Sequence, residues 1–89
     1  MRCELKVSSA IAWQSYDCID MLFILNRKNR NFYFFHDSAR TIIQGILEKK
    51  EISHICDECM RIFNVSRNEL DDCIINFVQL LKQEEILYE

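Results

Sequence analysis

Among the residues of this 89-residue chain that are of chemically active types, Cys56-Asp57-Glu58-Cys59 with His54 beside it invites the sharpest reading. A Cys-x-x-Cys pair supplies half of a structural zinc site, which needs four converging ligands, and the other cysteines form no second pair at that spacing. Both thiols also fall on an apolar stripe of helical spacing, Ile52, Ile55, Cys56, Cys59, Met60 and Phe63, where cysteine packs as a small hydrophobe. A thioredoxin-like use would place the pair at the start of a helix after a strand in a βαβ unit, and the pattern contains none. Core packing is therefore expected, with no metal and no cofactor. His36 has no nucleophile or second acid at a spacing that would make it a general base. Asp71-Asp72 and Glu84-Glu85 are adjacent carboxylates on helical surface, where such charges are ordinarily solvated. With Gly45 the only glycine and no proline, a Gly-rich phosphate loop and a dinucleotide fingerprint are both excluded. A non-enzymatic protein is expected.

The charge balance narrows the partners. Eleven Lys and Arg against fourteen Asp and Glu leave a formal charge of −3. Nucleic-acid affinity comes largely from basic residues displacing counterions, so nucleic acid is a poor partner for this chain. Arg27, Lys28 and Arg30 resemble the basic wing of a DNA-binding winged helix. The expected third helix, however, starts Arg67-Asn68-Glu69-Leu70-Asp71-Asp72, and its acids oppose entry into a groove. At 49% hydrophobic and 28% charged residues the chain is globular, and no apolar run approaches the ~20 residues of a membrane helix. The start, Met1-Arg2-Cys3-Glu4-Leu5-Lys6, has no secretory h-region. A cytoplasmic protein with five free thiols is expected, since an odd count in a reducing compartment argues against a disulfide framework.

The elements follow from the apolar periods. Residues 1–20 alternate weakly at Leu5, Val7, Ile11, Trp13 and Tyr16 and predict one edge strand plus a connection. Met21 to Leu25 is a continuous apolar run, as in a strand covered on both faces. Asn26 to Asn31 is a polar loop whose asparagines can turn without glycine. Phe32 to Phe35 is an aromatic second strand. Asp37 or Ser38 then caps a helix over Ser38 to Glu48, and a second helix follows with Ser53 as its cap. Ser66 with Glu69 three residues on reads as a capping box opening the third helix. That helix carries Leu70, Ile74, Phe77, Val78 and Leu81 as one stripe, with Cys73, Ile75 and Leu80 as apolar surplus off it. The expectation is one α+β domain over residues 1–89, winged-helix-like, with a three-stranded antiparallel sheet followed by three helices (1–20 strand and connection, 21–35 hairpin, 38–85 helices).

This order resembles the PqqD-like domains, which recognise the leader peptides of ribosomally made, post-translationally modified peptides. The resemblance runs from about Met21 to Leu87. It rests on the apolar strand, the turn, the aromatic strand followed by His36 where the family has asparagine, Ser38-Ala39 at the helix start, the break Phe63-Asn64-Val65, and the closing Glu85-Ile86-Leu87. The chain departs from the family by lacking glycine in the hairpin loop, at the break and at Glu85, and by lacking proline near Asp37-Ser38.

The resemblance implies a protein that captures a precursor peptide as an added strand and presents it to a separate modifying enzyme such as a protease, radical enzyme or cyclase. A winged-helix DNA-binding or transcriptional accessory protein is the alternative. By the same resemblance the groove lies between the aromatic strand and the last helix. Its walls map onto Phe32, Tyr33, Phe34 and Phe35 on one side and Cys73, Asn76 and Leu80 on the other. Asp72, Ile75 and Gln79 lie on the neighbouring edge of that helix. A surplus apolar face can instead meet a second copy, so the expected state is a monomer or weak dimer.

Overall fold

A computed structural model describes residues 5–89; the thiol expected at Cys3 lies outside the described residues. Strands β1 (Lys6–Val7), β2 (Ile11–Tyr16), β3 (Met21–Asn26) and β4 (Asn31–Phe35) precede helices α1 (Asp37–Leu47), α2 (Ile52–Ile62) and α3 (Arg67–Gln83). A short strand β5 (Leu87–Tyr88) closes the chain, and one 3-10 turn, Asp17–Ile19, links β2 to β3. Strands β2, β3 and β4 form an antiparallel sheet in that order, while β1 and β5 pair separately. The α+β architecture of a three-stranded sheet followed by three helices is thus as expected.

Period two sorts each strand into an inner and an outer face. In β3, Leu22, Ile24 and Asn26 are buried, whereas Leu25 is exposed and Met21 and Phe23 are half-buried on the other face. Inward residues Leu22 and Ile24 join Ile42 and Ile43 of α1, Ile55, Cys56 and Cys59 of α2, and Leu70, Ile74, Val78 and Leu81 of α3 in one core. Cys56 and Cys59 are fully buried, and burial pushes both thiols up, Cys59 to about 11. Gly45 lets α1 approach α2: a Cβ there would sit 2.7 Å from Cγ1 of Ile55. The sheet is tied to α1 through Ser15, whose hydroxyl donates to Gln44 at 2.7 Å and accepts from Arg40 at 2.9 Å. Arg40 also reaches Asp20 at 3.3 Å and Asp17, fastening the 3-10 turn to the same helix.

Several boundaries differ from the sequence expectation. The amino-terminal segment supplies two strands rather than one. Its alternation, Ile11, Trp13 and Ser15 inward with Ala12, Gln14 and Tyr16 outward, is diluted by the polar Ser15. The hairpin loop is only Arg27 to Arg30, because Asn26 and Asn31 pair with each other as strand residues. Neither Asp37 nor Ser38 caps α1; the N-cap is His36, whose side chain makes no capping bond, and the Asp37 amide donates to Asp20 at 2.9 Å. Glu51 rather than Ser53 precedes α2, and Met60 is exposed rather than part of its buried stripe. In α3 the Ser66 hydroxyl accepts from the Glu69 amide at 3.2 Å, which is the forward half of the capping box.

Helices α1 and α3 end alike. After α3 the Glu85 amide donates to Lys82 and the Ile86 amide to Leu81, with Glu85 left-handed at φ 61°. After α1, Lys49 and Lys50 donate to Ile46 and Gly45, with Lys49 at φ 60°. Both are Schellman endings, in which the left-handed residue is usually glycine. Of the three places where the resembled pattern has glycine and this chain does not, two are left-handed here, Arg30 in the hairpin loop at φ 63° and Glu85, while Asn64 at the break after Phe63 is not. Among the described residues no helix is long and apolar enough to cross a membrane.

Candidate peptide-binding edge

Among the described residues strand β4 is hydrogen-bonded on one side only, to β3, so the backbone groups along its other side face no described strand. Edges of this kind are usually guarded by charge, proline or a bulge. Asn31-Phe32-Tyr33-Phe34-Phe35 carries neither charge nor proline, and its pairing with β3 runs without a bulge from Asn26 opposite Asn31 to Leu22 opposite Phe35.

The pleat divides the four aromatic residues. Tyr33 and Phe35 lie opposite the buried Ile24 and Leu22 and pack on the core side. Phe32 and Phe34 lie on the outer face, 56% and 61% exposed. There Phe32 meets Phe23 with ring centroids 5.7 Å apart, and Phe23 in turn meets Tyr16 edge-on at 5.8 Å. Only Tyr33 and Phe35 therefore stand on the helix side of the sheet.

A cluster of hydrogen bonds on Glu84 sets the position of α3 beside β4. Its carbonyl accepts from Asn26 Nδ2 at 2.8 Å and from Asn29 Nδ2 at 3.1 Å, and its carboxylate accepts from the Tyr33 hydroxyl. Asn26 is fully buried and also accepts from the Lys28 amide at 3.0 Å, so both ends of its amide are satisfied. Burial, and secondarily the Glu84 carboxylate, push the Tyr33 phenol above its ordinary range. The hairpin is thus clasped to the carboxy-terminal end of α3, and the clasp marks which flank of the helix turns toward β4.

At about 100° per residue, Cys73, Phe77 and Leu80 project within roughly 40° of Glu84, and Asn76 within roughly 80°. Asp72, Gln79 and Ile75 project at roughly 120°, 140° and 180°, toward the other side. The stripe Leu70, Ile74, Val78 and Leu81 is buried and Phe77 is half-buried. Cys73, Asn76 and Leu80 are exposed, as are Asp72, Ile75 and Gln79. On this projection Cys73 and Leu80 share the flank of α3 that Glu84 fastens to Tyr33, Phe32 and Phe34 stand on the outer sheet face, and Asp72, Ile75 and Gln79 project away from that flank.

The sequence reading set Asn26 and Asn29 in a loop and Glu84 on solvated helical surface; it missed that Glu84 is half-buried and bonded to the hairpin, because these bonds join residues 55 and 58 positions apart. One signal was present: a tyrosine amid phenylalanines marks a ring whose hydroxyl needs a partner.

At the other end of β4, Asp20 is held below the ordinary carboxylate range, chiefly by the Asp37 amide and then by Arg40. Asp20, His36 and Asp37 converge there on the surface.

The fold is one already seen holding a peptide. TbiB1 in complex with the TbiA(beta) leader peptide superposes with a TM-score of 0.80 at 21% identity, over 94% of this chain and 98% of that one. A lasso peptide synthetase B1 complexed with the leader peptide superposes at 0.81 and 17% identity, over 98% and 100% of the two chains. No family model matches the sequence, and no curated protein matches it significantly.

Proposed function

We propose that this chain binds the leader segment of a ribosomally made precursor peptide as an added strand along β4 and presents it, in the cytoplasm and without catalysis of its own, to a separate modifying enzyme. The observation that carries this reading is the unguarded β4 edge beside the exposed Cys73–Leu80 flank, in a fold that two solved structures show with a leader peptide bound. Backbone pairing along β4 supplies affinity for an extended chain of any sequence, and pockets for alternate side chains supply selectivity. Peptide side chains on the inner face would meet Tyr33, Phe35, Cys73, Asn76 and Leu80. Those on the outer face would lie beside Phe32 and Phe34. Asp72, Ile75 and Gln79 would form the distant rim. The DNA-binding alternative is not favoured: the exposed start of α3 carries Glu69, Asp71 and Asp72, and Arg67 there is engaged by Asp71 at 3.1 Å.

The test is fluorescence anisotropy with a labelled leader peptide from the precursor gene nearest this one. Saturable binding in the range of about 1 to 50 µM is expected, corresponding to roughly 6–8 kcal/mol. Leu80→Asp and Phe34→Ala should each weaken binding while leaving the circular dichroism unchanged. Normal binding by both would misplace the groove, and no saturation at all would remove the function.

A further inference from the structure

We infer that β4 is also the edge through which two copies of this chain associate, antiparallel about a two-fold axis at Tyr33, and that a leader peptide and the second copy exclude one another. The exclusion rests on the function proposed above; the self-association does not.

Two features of β4 lead to this occupant. First, the strand is self-complementary in its pleat. Tyr33 is the middle residue of the five, so centring the axis there pairs the whole strand, Asn31 against Phe35 and Phe32 against Phe34 of the second copy. Residues of like face then stay together. The outer-face phenylalanines, 56% and 61% exposed in the single chain, would form two cross-strand aromatic pairs, the arrangement that stabilises antiparallel sheets. The two three-stranded sheets would become one of six strands, and the Cys73–Leu80 flanks of the two α3 helices would approach beneath it.

Second, the two ends of β4 carry opposite charge. Arg30 immediately precedes the strand, is exposed and makes no ion pair among the described residues; Lys28, two positions before it, is paired with Glu85 at 3.6 Å, so Arg30 is the cation this end offers. His36 and Asp37 follow the strand, the His36 ring 2.8 Å from the Asp37 carboxylate; Asp20 beside them is paired with Arg40, so Asp37, 68% exposed, is the anion this end offers. In the antiparallel arrangement the basic end of one copy lies along the acidic end of the other, and the two-fold axis repeats the match. A parallel arrangement would set like charges together. Isologous contacts require a patch that is complementary to itself, and β4 meets that condition in shape and in charge.

The test is sedimentation velocity of the full chain from about 5 to 500 µM, a range over which mass action reveals a weak dimer. Concentration-dependent dimerisation is expected. Arg30→Asp and Asp37→Lys should each, alone, raise the dissociation constant by roughly tenfold or more through like-charge contacts at both ends. Mixed together they should restore association as a heterodimer, because each variant then meets its opposite charge. Circular dichroism confirms that both variants fold; should Asp37→Lys fail to fold, weakening by Arg30→Asp and by high salt carries the test.

A wild-type chain that stays monomeric at the highest concentration overturns the proposal. So does a dimer indifferent to Arg30→Asp, or a leader-bound complex that remains dimeric. Leader binding measured at low concentration, where the chain is monomeric, reports on the proposed function separately from self-association.

Discussion

Replacing Asn26 with alanine tests whether the clasp between the hairpin and α3 holds the two walls of the edge together. The side chain is fully buried and makes two bonds, one donated to the Glu84 carbonyl at 2.8 Å and one accepted from the Lys28 amide at 3.0 Å. A net loss of about 1 kcal/mol per bond is expected. The Glu84 carbonyl keeps Asn29 as a donor at 3.1 Å, and the exposed Lys28 can turn its amide to water, so neither group is wholly orphaned. Removing the amide also leaves a small void, bringing the total to about 2–3 kcal/mol. In a domain of this size that corresponds to a fall in Tm of roughly 8–24 °C. Urea unfolding followed by far-UV circular dichroism gives the free energy directly, with m unchanged. A loss below about 1 kcal/mol would refute the reasoning, since it would mean that the hairpin is held against α3 by apolar contact alone.

Other consequences of the geometry are open to measurement. Glu85→Gly should stabilise the chain by about 1 kcal/mol, because the left-handed ending of α3 suits glycine, less the entropy that glycine adds to the unfolded state. Removing the Glu85 carboxylate also breaks its ion pair with Lys28, but at 3.6 Å between largely exposed groups that pair adds little. Unchanged or lower stability in urea would contradict this. Tyr33 gives a pH dependence with a definite sign. Its folded pKa is raised, so the folded chain holds this proton longer than the unfolded one, and stability declines as pH climbs past the unfolded value of about 10. Tyr33→Phe should remove that part of the alkaline decline, and an identical profile in the variant would assign it to other groups.

Much of the architecture could be read from the sequence because the helices and the hairpin announce themselves locally. Ser66 and Glu69 stand at capping spacing, and Leu70, Ile74, Val78 and Leu81 repeat at the helical period; the structure buries all four of the latter. Separating that stripe from Cys73 and Leu80 was within reach of counting alone. The division of β4 was not. Four consecutive aromatic residues erase the alternation that would reveal period two, and only their partners in β3, buried Leu22 and Ile24 against Phe23 and Leu25, show which rings face the helix. Strand β5 was illegible for a related reason. Ile86 and Leu87 continue the apolar habit of α3, and only the left-handed turn at Glu85 takes them out of the helix. No residue type marks that turn, since glutamate stands where glycine would have signalled it.

The pairing of β1 with β5 has a bearing on how this unit could be carried by other proteins. Lys6 lies opposite Tyr88 and Val7 opposite Leu87, so the chain enters and leaves the fold at one point, about 5 Å apart across the ladder. A surface loop of a host enzyme could therefore accept the whole unit without its own ends being spread. The β4 edge belongs to the other sheet and would remain free to receive a strand. On the proposed function, such a graft would hold the bound peptide on a tether beside the host's active site, raising its effective concentration there by tether length alone.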